Sequence, residues 1–476
     1  MYFQRIAESH LNDWLAKNSR KPLVIRGARQ VGKTALVRAF AANQNLDLVE
    51  INLEEDRISE FGRGSFDVNR CINEILALKS KRLSDRTLIF IDEIQESDDA
   101  YSRLRFFKEQ RPEIPVIAAG SLLEVRLREK KQKIPVGRIE YLFLGPFVFS
   151  EFLRACGGSV LAGELESVSP GDHLNKLTSS VHERIVRYLM DYFFVGGMPE
   201  AVLQFVKSGG SYVDARSVHH QIIQAFREDV DRYAEGHVAD IIRDVLDRIP
   251  FEIGHKVIFS RLSQAKSIQV KQAIDILDGI FLLQKVYHTS GTGIPLRRTE
   301  DPDVFKAYFL DVGLYNCLLD VTWNDIAGLD YENLISKGDM AEQFAAQHLY
   351  LGSGRTDRPR VHYWLREKSS DNAEVDFLRC YRQQIIPIEI KAGKSGRIKS
   401  LVKFMADHAA KSKHAIRFDL AYRERFVEQV DHGTTSHGGQ ERGRFTLFNL
   451  PLYGIERIDT LNRAMSGSPN VKSLRR

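Results

Sequence analysis

The feature that most constrains this sequence is a glycine-rich segment, Gly27–Thr34, which joins a short apolar stretch to an amphipathic one. It reads GARQVGKT and fits the pattern G-x-x-x-x-G-K-[ST]. Between a strand and a helix, such glycines allow backbone N–H groups and the helix N-terminus to point at a single anion. We therefore predict a phosphate-binding loop between a strand at Leu23–Ile25 and a helix at Lys33–Asn43.

The residues of this loop are expected to hold a nucleotide and its metal ion. Lys33 would neutralise the β- and γ-phosphate oxygens, and the Thr34 hydroxyl would bind Mg²⁺. ATP is favoured over GTP because the sequence has no N-K-x-D motif to read guanine. The nucleotide-binding residues predicted in this segment are Gly27, Ala28, Arg29, Gln30, Val31, Gly32, Lys33, Thr34 and Ala35.

An acidic pair follows at the end of a second buried strand. The apolar run Leu88–Ile91 leads directly into Asp92 and Glu93. At the tip of the strand, Asp92 is expected to support Mg²⁺ and Glu93 to act as the general base toward the attacking water. The next predicted strand, Val116–Ala119, is followed by Gly120 and Ser121, and this serine is a candidate sensor of the γ-phosphate. A plain turn is the alternative for Ser121.

Two more candidates lie farther along the chain. Arg138 follows the basic run Arg126–Lys133 and is a candidate for the arginine that stabilises transition-state charge, within one subunit or across a subunit boundary. Pro199 lies in a GGMPEAV turn and is a candidate for packing on adenine. The alternatives are a structural arginine and an ordinary interhelical turn. The basic run is either a DNA contact or a solvated loop.

Several motifs in a fixed order resemble one protein family. GARQVGKT, LIFIDEIQ, AAGSLLE and GGMPEAV resemble the prokaryotic AAA+ ATPases that pair an AAA-14-type module with a DUF4143-type region. FKAYFLDVGLYNCLL, KGDMAEQFAAQHL and IEIKAG resemble the C-terminal half of that family, so the resemblance spans nearly the whole chain. It implies Mg-ATP binding, hydrolysis and self-association, side by side or in a ring.

An acidic–lysine constellation occupies the C-terminal part. Glu342 lies on a predicted helix and Asp376 on a predicted strand, and Glu389 and Lys391 share one face of the next strand because side chains alternate. This order resembles the PD-(D/E)-x-K nuclease fold. The resemblance implies that Asp376 and Glu389, with Glu342, hold Mg²⁺ and that Lys391 orients the attacking water. The alternatives are a solvated ladder of ion pairs and a nuclease fold that binds DNA without cutting it.

Residues 240–320 predict a winged helix, that is, helices followed by a two-stranded wing. Ile268–Leu277 would be the recognition helix and Lys306 a cation near the wing, but Asp275 weakens the basic character of the helix, so protein docking is an alternative to DNA. Asp431–Gly443 is expected to form a loop. Four cations near the helix that begins at about residue 398 are expected to hold DNA backbone: Lys394, Arg397, Lys399 and Lys403.

A chain of 476 residues accommodates two to four domains. The predicted fold class is α/β: a P-loop (AAA+) parallel sheet with a helical lid, a winged-helix domain and a C-terminal α/β restriction-endonuclease-like domain. The predicted divisions are an ATPase core at 1–155, a lid at 156–238, a winged-helix-like domain at 239–325, a DUF4143-type nuclease-like domain at 326–460 and a tail at 461–476.

Composition bears on which partners the protein binds and in which cellular compartment it works. The net charge of +5 permits DNA binding without requiring it, and four cysteines without a C-x-x-C pair favour a reducing cytoplasm. The longest apolar run, YLFLGPFVF, is too short to span a bilayer, so no membrane association is expected. We expect an ATP-driven, self-associating protein that acts on or binds DNA. The alternative is an ATP-gated switch or scaffold that binds a protein and has an inert C-terminal domain.

Overall fold

The computed structural model describes residues 2–62, 64–97, 99–121, 137–167, 178–321, 338–352, 356–367, 372–391, 398–423, 426–436 and 439–460. Some residues of the sequence predictions lie outside these ranges: the run at 126–133, Lys394, Arg397 and the tail. Lys399 and Lys403 lie within them. Within the described ranges, no helix is both long and apolar enough to cross a bilayer.

A five-stranded parallel sheet forms the N-terminal part. Its strands are β1 (Leu23–Arg26), β2 (Asp47–Asn52), β3 (Thr87–Asp92), β4 (Val116–Gly120) and β5 (Glu140–Phe143). They are ordered β2-β3-β4-β1-β5, and every neighbouring pair is parallel. The helices connected to it are α1 (Ala7–Leu15), α2 (Lys33–Asn43), α3 (Ser59–Gly62), α4 (Val68–Leu78) and α5 (Ala100–Gln110).

Both faces of this sheet are buried, which explains its all-apolar strands. Leu23 and Ile25 on β1 belong to one apolar core, whereas Val24 between them belongs to a second core on the opposite face. Alternating side chains therefore serve two layers of helices, as expected for a parallel sheet. The predicted α/β class is confirmed.

Helices dominate the middle of the chain. They are α6 (Phe149–Ala155), α7 (Ser159–Ser167), α8 (Ser179–Val195), α9 (Pro199–Lys207), α10 (Tyr212–Glu228), α11 (Val230–Tyr233), α12 (His237–Arg248), α13 (Phe259–Leu262) and α14 (Ser267–Gly279). The turn between α8 and α9 requires glycine. Gly196 has φ of +68°, and a Cβ atom there would lie 2.1 Å from Oδ1 of Asp311. Pro199 then begins α9, because its fixed φ suits the first turn of a helix.

A mixed eight-stranded sheet forms the C-terminal part. Its strands are β6 (Leu283–Thr289), β7 (Glu300–Phe309), β8 (Val361–Arg366), β9 (Ala373–Tyr381), β10 (Gln384–Ile390), β11 (His414–Asp419), β12 (Val427–Ser436) and β13 (Gly439–Pro451). They are ordered β12-β13-β11-β10-β9-β8-β6-β7. Helices α15 (Val312–Leu318), α16 (Gly338–Gly352) and α17 (Lys399–Asp407) accompany them.

The two strands predicted as a wing pair as an antiparallel hairpin, but the hairpin is not free. Strand β6 also pairs in parallel with β8, so the hairpin forms one edge of the eight-stranded sheet. The sheet thus draws strands from both sides of the division predicted at 325, and the predicted domain limits stay predictions.

The loop predicted at Asp431–Gly443 is wrong. Most of these residues continue β12 and β13, which pair in antiparallel register from Val427↔Phe448 outward to Ser436↔Gly439. The buried half of β13, with Phe445 and Leu447 in the core, fixes the register. The polar half then extends the same ladder, so its sequence has no apolar alternation to signal a strand.

Candidate functional site

The phosphate-binding loop has the backbone that its glycines were predicted to supply. Gly27 and Gly32 have φ of +154° and +88°. A Cβ atom on Gly27 would lie 2.1 Å from the carbonyl oxygen of Leu144, so only glycine allows this close approach. Helix α2 begins immediately after Gly32, and its first N–H groups form the kind of helix terminus that binds phosphate.

Lys33 is buried and its ammonium lies inside the loop. Its Nζ donates hydrogen bonds to the carbonyl oxygens of Gly27, at 3.1 Å, and Ala28, at 2.8 Å. Burial lowers the pKa of Lys33 to about 8, although the Glu93 and Asp92 carboxylates act in the opposite direction. The cation is therefore held by weak neutral acceptors, which suits a group that binds phosphate.

Thr34 and the acidic pair meet at the end of β3. Oγ1 of Thr34 donates to Oδ2 of Asp92 at 2.6 Å, and Oδ1 of Asp92 accepts the backbone N–H of Glu93 at 3.0 Å. Burial raises the pKa of Asp92, and the hydrogen bond from Thr34 counteracts this rise. A hydroxyl and a carboxylate at contact distance are the oxygen ligands that Mg²⁺ takes, so these residues fit that ion.

Glu93 has an unusual backbone and a tethered side chain. Its φ of +48° lies in the left-handed region, which is strained for a non-glycine residue. Its Oε2 accepts a hydrogen bond of 2.5 Å from Nε2 of Gln95. Sequence reasoning missed Gln95, because a glutamine on the turn after a strand carries no signal of its own.

Lys33, Thr34, Asp92 and Glu93 line one cavity of about 740 Å³, within the range of ligand-binding sites. The predicted residues that line it are Arg29, Gln30, Gly32, Lys33, Thr34, Ala35, Asp92, Glu93, Ser121 and Pro199. Gly27, Ala28 and Val31 are not among its lining residues, and Ala28 and Val31 belong to the core beneath the loop. The structure therefore brings the loop, the acidic pair, Ser121 and Pro199 together.

Several cavity residues were not predicted, because they come from segments far apart in sequence. They are Tyr2, Phe3, Arg5, Arg38, Glu54, Phe147, Glu200, Leu203 and Arg232. Phe3 and Phe147 pack edge to face with centroids 6.1 Å apart. Arg232 on α11 lines the cavity, and its Nε lies 3.5 Å from Oδ1 of Asp229, which also pairs with Arg29 of the loop.

Ser121 and Arg138 differ in their relation to the cavity. Ser121 is buried at its wall, and within the described ranges its Oγ has no hydrogen-bond partner. Arg138 does not line the cavity. Its side chain is 56% exposed and pairs with Oε1 of Glu109 at 3.1 Å.

A second group of charged residues lies on the eight-stranded sheet. Glu342 of α16, Asp376 of β9 and Glu389 of β10 interact electrostatically with one another. Lys391 pairs with Oε1 of Glu389, and Oδ2 of Asp376 accepts the backbone N–H of Ile390 at 2.7 Å. Burial raises the pKa of Asp376 well above its usual range, and Glu389 and Glu342 add to the rise. We call this group, with Glu374 and Lys306, the acidic centre.

Lys306 joins the acidic centre from β7. Its side chain is fully buried, its Nζ lies 3.4 Å from Oε2 of Glu342, and it pairs with Glu374. Burial lowers the pKa of Lys306, but Glu342, Glu374 and Asp376 outweigh it, so the pKa lies above its usual range. The hydroxyl of Tyr308 donates to Oε2 of Glu342 at 2.9 Å. Lys306, predicted as a cation near the wing, lies on the second strand of the β6–β7 hairpin, but its side chain is buried at the acidic centre.

The acidic centre does not fit the Mg²⁺ that the nuclease resemblance implies. In the part of the chain that the structure describes, no three His, Cys, Asp or Glu side chains are arranged to hold a metal ion. An ammonium group lies among the carboxylates instead. Oε2 of Glu389 is the one carboxylate oxygen of the described centre that is buried without a hydrogen-bond partner.

Three family models match the sequence in succession. The AAA domain model AAA_14 matches residues 19–153, and the domain of unknown function DUF4143 matches residues 337–431. The chain carries an AAA domain and a DUF4143 domain. A second domain of unknown function, DUF8612, matches residues 186–325 between them. The predicted pairing of the AAA-14 and DUF4143 types is confirmed.

Solved structures match at low similarity. The Aeropyrum pernix ORC2 protein, in ADPNP and ADP complexes, is 13% identical with a TM-score of 0.32, over 68% of this chain and 95% of that one. The Thermotoga maritima RuvB Holliday junction branch migration motor is 13% identical with a TM-score of 0.26, over 60% and 90%. None of the curated proteins matches the sequence.

The family limits show how the acidic centre is assembled. Glu342, Asp376 and Glu389 fall within the DUF4143 match, whereas Lys306 and Tyr308 fall within the DUF8612 match. Strand β7, from the DUF8612 segment, therefore supplies the ammonium of Lys306 and the hydroxyl of Tyr308 that contact Glu342 of the DUF4143 segment. The acidic centre belongs to both segments.

Proposed function

We propose that this protein binds Mg-ATP at its AAA domain and hydrolyses it. The observation that carries the proposal is the 2.6 Å hydrogen bond between Thr34 and Asp92, which joins the phosphate-binding loop to the acidic end of β3. Lys33 and Glu93 line the same cavity. A phosphate cradle, a metal-binding pair and a base are thus within one site.

Each residue has a role that follows from its chemistry. The N–H groups at the start of α2 and the Lys33 ammonium bind phosphate oxygens, and Thr34 and Asp92 hold Mg²⁺. When bound, Mg²⁺ neutralises charge on the phosphate oxygens. Glu93 accepts a proton from the attacking water, and Ser121 donates to the γ-phosphate from the cavity wall.

The base side of the nucleotide has apolar walls. Phe3, Phe147, Pro199 and Leu203 line the cavity beside the loop. We place adenine against Pro199, whose ring lies next to the phosphate-binding loop: a Cβ atom on Gly32 would lie 3.6 Å from its Cγ. Arg232, in the helical lid, provides a second cation on the phosphate side.

Substitutions that separate binding from hydrolysis test this proposal. Glu93→Gln is expected to keep affinity for a fluorescent ATP analogue and to abolish phosphate release, because the base is lost and the cradle is intact. Lys33→Ala is expected to lose both. Glu96→Gln, at an exposed acid three residues away, is the matched control and should hydrolyse ATP normally. Hydrolysis by Glu93→Gln at the wild-type rate would refute the assignment of the base.

We also propose self-association, supported by the position of Arg138. This arginine is exposed and does not line its own chain's cavity, so it is available to a neighbouring subunit. Light scattering with and without ATP measures the assembly. Assemblies of Arg138→Ala subunits alone should be inactive. When they are mixed with Glu93→Gln subunits, which retain the arginine, the Arg138→Ala subunits should regain ATP hydrolysis. No regain of activity in the mixture would exclude the role in trans.

DNA is the ligand that we propose for the C-terminal half. The support is the meeting of Glu342, Asp376, Glu389 and Lys391 at one place, as a nuclease-like arrangement requires. Anisotropy of a labelled duplex, with and without ATP, tests DNA binding, and phosphate contacts should make the affinity fall with salt. Plasmid cleavage with Mg²⁺ or Mn²⁺, beside Asp376→Asn, tests cutting separately.

A protein partner is the rival, and one surface favours it. On the predicted winged helix, Lys256 pairs with Glu367, Arg261 with Glu252, and Lys271 with Asp303, so these cations are already neutralised. Phe251 and Ile268 are 69% and 76% exposed in the same region. If the anisotropy of DNA does not change under any nucleotide, the protein-partner function takes first place.

A further inference from the structure

The acidic centre contains a cation that belongs to the chain itself. Lys306 lies on β7 with Tyr308 two residues on, so both side chains project from the same face of the strand. Both reach Glu342, one with an ammonium group and the other with a hydroxyl. We propose that Lys306 takes the place of a divalent metal ion in this nuclease-like centre, which therefore binds no metal.

Two lysines form ion pairs with different carboxylates of the acidic centre. Lys306 serves Glu342 and Glu374 on one side, and Lys391 serves Glu389 on the other. Asp376, between them, accepts the backbone N–H of Ile390. Each of the four carboxylates therefore already has one oxygen engaged by a donor of the chain.

A metal ion would have to displace the ammonium. Mg²⁺ requires about six oxygen ligands in an octahedron, and it repels a lysine held among them. The Lys306 side chain has no exposed surface, and the Tyr363 ring lies 5.3 Å from its Nζ. A buried ammonium is held in place by its carboxylate partners, because leaving them unpaired is costly on both sides.

One buried carboxylate oxygen of the acidic centre has no donor from the part of the chain that the structure describes. Oε2 of Glu389 is buried without a hydrogen-bond partner in the described structure, so it is one carboxylate oxygen that remains available to a metal ion. The proposal rests on the nuclease-like arrangement described above, but not on DNA binding. It predicts that this domain grips its ligand without metal-dependent cutting, so metal binding must be measured apart from DNA.

Terbium luminescence measures the centre directly. Tyr308 and Tyr363 flank Lys306 and would transfer excitation to a Tb³⁺ ion bound in its place. The full chain is titrated with Tb³⁺ without nucleotide, as wild type and as Asp376→Asn, so that signal from the AAA domain cancels in the difference. We expect no Asp376-dependent signal from the wild type. We expect Lys306→Met to gain a saturable signal that Lys306→Met/Asp376→Asn loses, with affinity at least about tenfold tighter than any wild-type binding.

Lys285→Met is the matched control, because Lys285 is also a buried lysine but pairs with Asp275 outside the acidic centre. It should gain no signal. If Lys306→Met does not fold, Lys306→Gln replaces it, and if neither folds the wild-type comparison still decides. A saturable Asp376-dependent Tb³⁺ signal from the wild type would overturn the proposal. A failed DNA-binding assay would leave it standing, since the readout is the metal alone.

Discussion

Oδ2 of Asp311 accepts a hydrogen bond of 2.7 Å from the backbone N–H of Gly197, 114 residues away in sequence. Gly197 lies two residues before Pro199, which lines the nucleotide cavity. The same carboxylate oxygen accepts from Gln347 of α16 at 3.3 Å, and α16 also carries Glu342 of the acidic centre. A buried polar network thus joins the wall of the nucleotide cavity to the helix that contributes to the acidic centre.

Gly197→Ala should disturb this junction and the cavity together. A Cβ atom on Gly197 would lie 2.1 Å from the carbonyl oxygen of Phe147, a backbone atom that cannot rotate away. We expect the free energy of unfolding to fall by about 1–3 kcal/mol and affinity for an ATP analogue to fall, since Phe147 and Pro199 both line the cavity. Thermal unfolding and a binding titration measure the two effects. Gly163→Ala, with nothing within 4 Å, is the control and should lose neither.

Arg5→Met should destabilise the AAA domain strongly. The buried Arg5 guanidinium pairs with Glu151 at 3.2 Å and donates to the carbonyl oxygens of Val31 and Gly145. Its removal deprives a buried carboxylate and two carbonyl groups of the guanidinium. We therefore expect the free energy of unfolding, measured in urea, to fall by about 3–5 kcal/mol. Arg227→Met breaks an exposed pair with Asp247 and should cost less than about 1 kcal/mol. Equal losses in the two variants would contradict this account.

The nucleotide site could be predicted from the sequence because its motifs are local. The phosphate-binding loop is a continuous segment, and Asp92 and Glu93 follow directly from the apolar strand that positions them. The remaining walls, such as Phe3, Phe147 and Arg232, depend on how distant segments fold over the loop. No periodicity or spacing in the sequence encodes that contact.

The acidic centre shows the same limit. Alternation predicts that Glu389 and Lys391 share one face of their predicted strand, since it operates within a few residues. Only the resemblance to the nuclease fold joins Asp376 and Glu342 to them. The sequence predicts Lys306 as a cation near the wing, because β7 reads as the second strand of a hairpin. Only the pairing of β6 with β8 brings that hairpin into the larger sheet and buries the lysine. The pairing of distant strands is decided by tertiary packing.

Thr34→Val should separate shape from chemistry at the metal-binding pair. Valine matches threonine in size but cannot donate to Asp92, so we expect ATP hydrolysis to fall by about a hundredfold as the metal is misplaced. Thr34→Ser keeps the hydroxyl and should remain within a few fold of wild type. The nucleotide affinity of Thr34→Val should also stop depending on Mg²⁺. Steady-state phosphate release and a titration with and without Mg²⁺ test this, and equal activity in the two variants would exclude Thr34 as a metal ligand.

A buried histidine–glutamate contact should give two opposing pH dependences. Nε2 of His348 lies 3.5 Å from Oε1 of Glu456, where the AAA domain meets α16. Burial raises the pKa of Glu456 from 4.5 to about 7 and lowers the pKa of His348 from 6.5 to about 4. Between pH 4.5 and 7 the folded protein keeps a proton on Glu456 that the unfolded chain releases, so this residue makes the free energy of unfolding fall as pH rises. Between pH 4 and 6.5 the unfolded chain binds a proton on His348 that the folded protein does not. His348 therefore makes the free energy of unfolding increase as pH rises.

Single substitutions should therefore expose the two slopes that nearly cancel in the wild type. Relative to wild type, Glu456→Gln should gain stability as pH rises from 4.5 to 7, and His348→Gln should lose it from 4 to 6.5. Each difference should approach about 1.4 kcal/mol per pH unit in the middle of its window. Urea unfolding at several pH values measures these slopes. Slopes of the same sign in the two variants would show that the buried contact does not hold a neutral histidine beside a protonated glutamate, because only that pairing makes the two residues act in opposite directions.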